Sequence, residues 1–521
     1  MLVLRKQKAV AAAVATGVAA LACAGSGSAA TLFLIRGGGW GHGVGMGQWG
    51  AEGYAQHGWN DRRILAHYYP QTTLTLEHTP TTLRVLLAQR KSVSIGSSKP
   101  FLVVDARGTR VHVPPRTLRF GVGLRLGTQQ LVAPVQIEPG AAVLTFDGKG
   151  YRGSLTLVRR PAALSVVNDV SLQPYLRGVV PSEMPRLWLP AAYEAQAIAA
   201  RSYALAAMRG TGYFDLYADT RDQVYGGIDA ERPQTNAAVG YTAGQVLTYD
   251  GKPILAFYSS STGGRTEAVQ TAFPGRAPVP YLVSVSDPYD SISPVHRWHL
   301  RLSFGSFTRD FGFTTTDIVV ERDTAGHATQ VELSGPRGTK IVTGDAFAQA
   351  LGLRSSRFTV AELSLAAPFG LAAFGKPYAL TGFARGAVDV SLEELTPNDG
   401  WQVVRRVAPG SNGDFAVNLR PRVSTEYRLA VGRLAGPVVS LSVEPRLSLQ
   451  ASGNVVSGTI RPSVPLQVEQ QVGAAWRVVG QVPVSRSGSF HTTLRTGRYR
   501  LTSSPAPNLS RAVSPSVIIV S

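Results

Sequence analysis

The segment from Asp169 to Pro185 delivers one carboxylate, Glu183, into an apolar setting made by Val179, Val180, Met184, Pro185 and Trp188. Such a neighbourhood withdraws a carboxyl from water and raises its pKa. A carboxyl held protonated near neutral pH can protonate a leaving oxygen and then serve as base, the general-acid role that glycan cleavage requires. A lone Glu beside a helix start can instead cap the helix or join an ion pair, and the residues alone leave these roles open.

A second candidate is the glycine-dense run Gly37-Gly-Gly-Trp-Gly-His-Gly-Val-Gly-Met-Gly-Gln-Trp-Gly-Ala51. Glycines at this density let backbone amides approach a ligand that offers hydrogen-bond acceptors. His42 and Gln48 are the candidates for substrate contact. The alternative for His42 is a tight packing turn in which the backbone satisfies the ring. A phosphate loop is a poor fit, because no Lys-Ser/Thr pair and no nucleotide-fold pattern accompanies the glycines. His42, His57 and His67 are too thin a basis for zinc, so no metal and no cofactor is expected.

These residues need elements to position them. A short strand, Thr31 to Ile35, leads into the glycine run, followed by a helical stretch from about Gln48 to Tyr69 with Gly58 as its break. Alternating runs such as Leu83 to Leu87, Phe101 to Val104, Val143 to Phe146 and Leu155 to Val158 predict a β-rich region from about Leu74 to Val170. The strongest helix spans about Pro190 to Met208, with Pro tolerated at its start and an alanine-rich body. Strands resume at Gly244 to Tyr249 and Pro253 to Tyr258, and a short helix at Asp345 to Leu351 is closed by Gly352. The fold class is therefore α+β and β-rich, with one long alanine-rich helix.

Beyond about Gly370 the chain repeats itself. Trp401-Gln-Val-Val returns as Trp476-Arg-Val-Val, Gly413-Asp-Phe415 as Gly488-Ser-Phe490, and Tyr427-Arg-Leu as Tyr499-Arg-Leu, at a spacing of about 75 residues. That length suits two immunoglobulin-like β-sandwich modules, 369–443 and 444–521, read as spacers or wall-adhesion units.

Of the 521 residues, the first 30 read as an export signal: Arg5, Lys6 and Lys8, then an apolar run from Ala9 to about Ala22, then small residues from Gly25 to Ala30. A membrane anchor is the alternative, but the run is short for a bilayer, and no later segment is long enough to span one. The only cysteine, Cys23, lies in this leader, so a mature chain would have neither a disulfide nor a cysteine metal site. Losing the leader's three cations lowers the formal charge from +19 to +16. For an exported protein this points to anionic wall polymers rather than nucleic acid, because the arginines are scattered and not interleaved with aromatics.

The run Tyr175-Leu-Arg-Gly-Val-Val-Pro-Ser-Glu-Met-Pro185, followed by Glu194-Ala-Gln-Ala-Ile-Ala-Ala-Arg-Ser-Tyr203, resembles the signature of the sporulation stage II D / amidase enhancer family. Gln223-Val-Tyr-Gly-Gly227, Asn236 to Tyr258, Ser259-Ser-Ser-Thr-Gly-Gly-Arg-Thr-Glu267 and Pro280-Tyr-Leu282 leading to Asp287-Pro288 follow in matching order. The resemblance covers roughly Leu32 to Leu365, within a domain set at 31–368. It implies that Glu183 corresponds to the acid of a lytic transglycosylase acting on peptidoglycan glycan strands. One carboxylate suffices for that reaction, because the 6-hydroxyl of N-acetylmuramic acid can attack its own anomeric carbon to give a 1,6-anhydro product, whereas ordinary glycosidases use two acids. The alternative is a non-catalytic wall-binding protein that enhances a partner cell-wall amidase.

The glycine run, with Ile64-Leu-Ala-His-Tyr-Tyr-Pro70 after it, also resembles the family, but there it usually ends the domain and here it comes first. This implies a circular permutation, in which Leu32 to Ile35 lies beside Phe358 to Leu363. Among the matching motifs, Gln223, Tyr225, Tyr258 and Ser260 are candidates to line a groove, the alternative for the tyrosines being core packing. Arg201 could meet the sugar's carboxylate or pair internally with Glu194. Some members carry zinc-binding Cys and His before the Gln223 motif; this chain has Phe214 to Asp222 there, without soft ligands.

Overall fold

The alternating runs of residues 73–171 become strands whose inward side chains share one core. In the computed structural model, which describes residues 31–77, 81–303, 309–312, 315 and 317–520, Ser154–Arg159 alternates buried Leu155 and Leu157 with more exposed neighbours. This is the half-buried strand pattern. It sits in a seven-stranded sheet ordered Leu216–Tyr217, Thr82–Arg90, Leu164–Ser171, Ser154–Arg159, Val135–Glu138, Phe101–Val104, Arg110–Val113. All its pairs are antiparallel except the short first one. The expected leader and Cys23 lie outside the described residues. Among the described residues no helix is long and apolar enough to cross a membrane.

The helices pack against the same core. The expected helical stretch after the glycine run is two helices, α1 (Gln48–Gln56) and α2 (Asp61–Tyr68), interrupted at Gly58, which has φ +78°. Asn60 caps α2 by accepting from the Arg63 amide at 2.9 Å. Helix α3 (Leu172–Glu183) continues directly from the sheet strand ending at Ser171. Helix α4 (Pro190–Ala207) is the alanine-rich one. Its buried Ala192, Ala195, Ala197, Ala199, Ala200 and Ala204 present almost no side-chain bulk, which lets α1, α2, α3, α5 (Pro233–Tyr241) and the strand Gln245–Tyr249 all pack on it. A helix buried on most of its sides is a core helix.

The opening strand, Leu32–Gly37, lies between Trp298–Ser303 and Phe358–Leu365, pairing Leu32 with Leu363 and Gly37 with Phe358. The adjacency expected of residues 32–35 and 358–363 is therefore present. The same sheet continues into Tyr378–Arg385 and Asp414–Leu419, so its hydrogen bonds run across residue 368. One face of this sheet packs in a core with Leu392, Tyr427 and Leu429; the other packs Phe33 and Ile35 against Val331, Leu333 and Phe347.

The segments 390–441 and 466–519 carry matching ladders. Thr425–Val431 and Gly497–Ser503 each pair with a strand, Val390–Thr396 or Leu466–Val472, whose other neighbour holds the repeated tryptophan. Arg428 pairs with Glu393 at 2.7 Å and covers Trp401; Arg500 pairs with Glu469 at 2.6 Å and covers Trp476. Equivalent register irregularities precede both glutamates.

From Gly37 to Gly47 the chain is seated mainly by its backbone. Trp40 bridges Ser261, Val44 bridges Glu267, and Met46–Gly47 pairs in parallel with the strand Tyr258–Ser259. A Cβ on Gly45 would run into the Phe257 carbonyl oxygen, which already accepts from the Met46 amide and the Tyr69 hydroxyl, and Gly45 has φ +70°. Gly45→Ala is therefore expected to lower unfolding free energy by about 2–5 kcal/mol, from left-handed strain plus overpacking. Gly240→Ala, in α5 with open space around its Cβ, should be neutral or stabilising by up to about 1 kcal/mol. Urea denaturation of both variants checks the contrast.

Candidate active site

Helix α3 ends at Glu183 for a local reason. Met184 precedes Pro185 and is extended, at φ −116° and ψ 143°, as a residue before proline prefers. Glu183 thus stands at the helix C-terminus, where the peptide dipoles disfavour a negative charge. Its surroundings withdraw it from water, and this burial raises its pKa; the Val224 amide, donating at 2.7 Å, and side-chain hydrogen bonds from Gln48 and Tyr258 act against the rise. The residue nevertheless keeps partial contact with solvent. A desolvated carboxyl with three donors and an open side can hold a proton and release it.

Each donor is itself held. Gln223, fully buried, donates to the Tyr258 hydroxyl at 2.9 Å and to the Ala200 carbonyl at 3.3 Å, and accepts from the Tyr175 hydroxyl at 3.2 Å. With its oxygen occupied by Gln223, the Tyr258 hydroxyl is left to donate to Glu183. Gln48 lies at the start of α1 and its amide nitrogen also reaches Gln196 of α4, at 3.5 Å. The rings of Trp49 and Trp188 meet edge to face, 4.8 Å between centroids. Behind Trp188, the Tyr193 hydroxyl receives the Trp188 amide and donates to the Pro185 carbonyl, while Glu52 accepts from the Leu189 amide.

Gln48 is placed by the glycine run, and that run is pinned by two buried carboxylates. Asp287 accepts from Tyr68 and Thr262, both at 2.8 Å, and occupies the space a side chain at Gly47 or Gly50 would need. Asp290 accepts from Ser261, the amides of Thr262 and Gly263, and His296. Burial, and then the charge of Asp290, push the Asp287 pKa up to about 7.

The expected site residues divide accordingly. Glu183, Gln48, Gln223 and Tyr258 come together. His42 does not join them by its ring nitrogens: Nδ1 accepts from the Val44 amide at 3.0 Å, and a hydrogen bond to the Tyr258 backbone takes up the ring's donor. Burial lowers its pKa to about 4, so the ring is neutral, and its faces pack on Phe257 and Phe273. Arg201 is 1 % exposed and bonds the carbonyls of Gln245 and Val239 and the side chain of Gln173. Among the described residues it forms no ion pair with Glu194. Tyr225 is buried under Gly178 of α3 and donates to Asn168 at 2.9 Å. Ser260 contributes its carbonyl, which accepts from the Trp49 amide at 3.0 Å. The cavities of about 490 Å³ beside α2 and about 790 Å³ beside the opening strand are not lined by Glu183.

Sequence reasoning missed the Val224 amide, Gln196 and the anchoring role of Asp287 and Asp290. The last had a signal, since Asp287 stands in a quoted motif, but nothing in the spacing linked it to the glycines.

Comparison with known proteins places this arrangement. The Stage II sporulation protein family model matches residues 161–249, a span that includes α3, Glu183, α4 and Gln223. An uncharacterized protein of Brachyspira hyodysenteriae is 30 % identical over 204 residues, 39 % of this chain and 54 % of that protein. The amidase enhancer of Bacillus subtilis is 40 % identical over 162 residues, 31 % of this chain and 22 % of that protein. The chain thus spans about half the length of the first and about a fifth of the second. Stage II sporulation protein D of Bacillus amyloliquefaciens is 31 % identical over 268 residues, 44 % of this chain and 75 % of that protein. With three quarters of that relative matched, the chain belongs to the Stage II sporulation protein D family.

Proposed function

We propose that this protein is a secreted lytic transglycosylase that cleaves peptidoglycan glycan strands, with Glu183 as its single acid and base. The observation that carries the reading is a carboxyl both desolvated and reachable, at a helix C-terminus, with its hydrogen-bond donors fixed by a second layer of buried side chains. Protonated, Glu183 gives its proton to the glycosidic oxygen as the C–O bond breaks. As carboxylate, it takes the proton of the muramyl 6-hydroxyl, whose oxygen closes on the anomeric carbon. The proton count is restored, and no water is consumed. Gln48 and Tyr258 set how readily Glu183 ionises, and Trp49 with Trp188 offers an aromatic surface for sugar rings.

A domain at 31–368 with its glycine block first, and sandwich modules at 369–443 and 444–521, belong to the same proposal, as does permutation of the family order. A second reading, a non-catalytic wall-binding enhancer of a partner amidase, is favoured by the 40 % identity to an amidase enhancer.

The parent protein and its Glu183→Gln variant, incubated with purified glycan strands with and without stem peptides, are read by mass spectrometry for 1,6-anhydromuramyl ends. Loss of those ends by a factor of about 10²–10⁴ in the variant is the expected result. Binding without cleavage by the parent would support the enhancer reading instead. The pH profile gives an independent check. Because the Tyr258 hydroxyl lowers the Glu183 pKa, Tyr258→Phe should move the alkaline limb of kcat/KM upward, by about half to one pH unit. A downward shift would refute the assigned hydrogen bond.

A further inference from the structure

The glycine run meets the proposed acid at one end, and at the other it opens on a cavity to which that reading gives no role. The cavity has a volume of about 790 Å³ and is lined by Arg36, Arg297, Trp298, Arg322, Arg357 and Arg433, with no carboxylate in its wall. None of the five arginines forms an ion pair among the described residues. They come from five separate places: the opening strand, the start of Trp298–Ser303, the strand Asp317–Arg322, the approach to Phe358–Leu365, and the turn before Leu434–Leu441.

The site is built rather than loose. Trp298 donates from Nε1 to the Gly39 carbonyl at 2.9 Å, and its ring fills the space where a side chain at Gly37 would stand. Arg357 is half-buried, donates to the carbonyls of Thr262 and Gly263, and feels the repulsion of Arg297 and Arg265. Asp290 and Asp323 favour its charge, but Asp290 is saturated by other donors and neither lines the cavity. Like charges gathered in a concavity repel one another, and a bound anion relieves that repulsion. The cations are all arginine, whose fork fits an oxyanion with two free oxygens. The volume is many times that of one phosphate and suits several units of a chain.

We propose that this cavity binds an anionic polyol-phosphate polymer of the cell wall, its phosphodiester oxygens on the arginines and its polyol carbons on the Trp298 ring. The proposal rests on the wall location assumed above and does not depend on cleavage. Binding of the full chain to a synthetic glycerol-phosphate oligomer is measured by calorimetry, with a polyglutamate of equal charge and an uncharged glycerol oligomer as comparisons. The variant Arg297→Gln/Arg322→Gln/Arg433→Gln removes three exposed cavity arginines. Arg107→Gln/Arg116→Gln/Arg125→Gln removes the same charge from exposed positions elsewhere.

The expected result is a loss of about tenfold or more in glycerol-phosphate affinity for the first variant and under about threefold for the second. Equal losses, equal affinity for polyglutamate, or no binding by the parent would overturn the proposal. Arg322→Gln alone, with an intact thermal transition, guards against a folding defect in the triple variant. Both triple variants are also assayed on naked glycan strands. In the parent protein, assayed alongside them, cleavage without oligomer binding refutes this site alone, whereas oligomer binding without cleavage refutes the transglycosylase reading alone.

Discussion

Between residues 37 and 50 the backbone lies against residues 257–264 and the Asp287 carboxylate at distances that leave no room for Cβ atoms. Gly39, Gly41, Gly45, Gly47 and Gly50 each face an atom that a side chain would strike. The contact is made by backbone bridges at Trp40, Val44, Met46 and Gly47. Its consequence is a fixed position for the next residue, Gln48, beside Glu183. The proposed chemistry therefore depends on a surface that carries almost no side chains.

Apolar packing holds only part of this segment, through Val44, Met46 and Ala51, and on the glycine side the molecule adds buried carboxylates. Asp290 receives four donors and Asp287 three, the hydroxyls of Tyr68 and Thr262 and the Asp290 amide, and both side chains are buried. Fully hydrogen-bonded buried acids fix geometry, and removing one donor leaves a charge or a hydroxyl stranded. Glu267 and His327 form a further buried pair at the same interface, where burial pushes the Glu267 carboxyl up to about 10 and the His327 ring down to about 4. In both cases burial favours the uncharged form. Glu183 differs from all of these in keeping solvent contact and in lying at a helix end.

Much of this frame was legible in the residues. Alanine density and Pro190 marked α4, Gly58 marked the break after α1, and the motif order placed the opening strand beside Phe358–Leu365. The direction of the Glu183 shift followed from its apolar neighbours. Periodicity is silent, however, on contacts between segments far apart in the chain. It could not show that the second layer behind Tyr258 is Gln223 and Tyr175, or that Arg201 points into the core rather than toward the acid. An arginine on an alanine-rich helix reads alike on either face until the neighbours are known. His42 shows the same limit: its type suggested contact with substrate, and its ring serves the turn that carries it.

The position of the glycine block at the start of the chain is compatible with this geometry for a physical reason. The opening strand is held on both sides by antiparallel ladders, and the block after it by bridges to residues 258–267. None of these bonds depends on which segment of the chain precedes the opening strand. Connecting a segment through a longer or differently placed loop changes its closure entropy slowly, by about 0.6 kcal/mol for each doubling of loop length. What must be preserved is the close approach of glycine to backbone, because that contact, together with the hydrogen bond to Gln196, sets Gln48 against the acid.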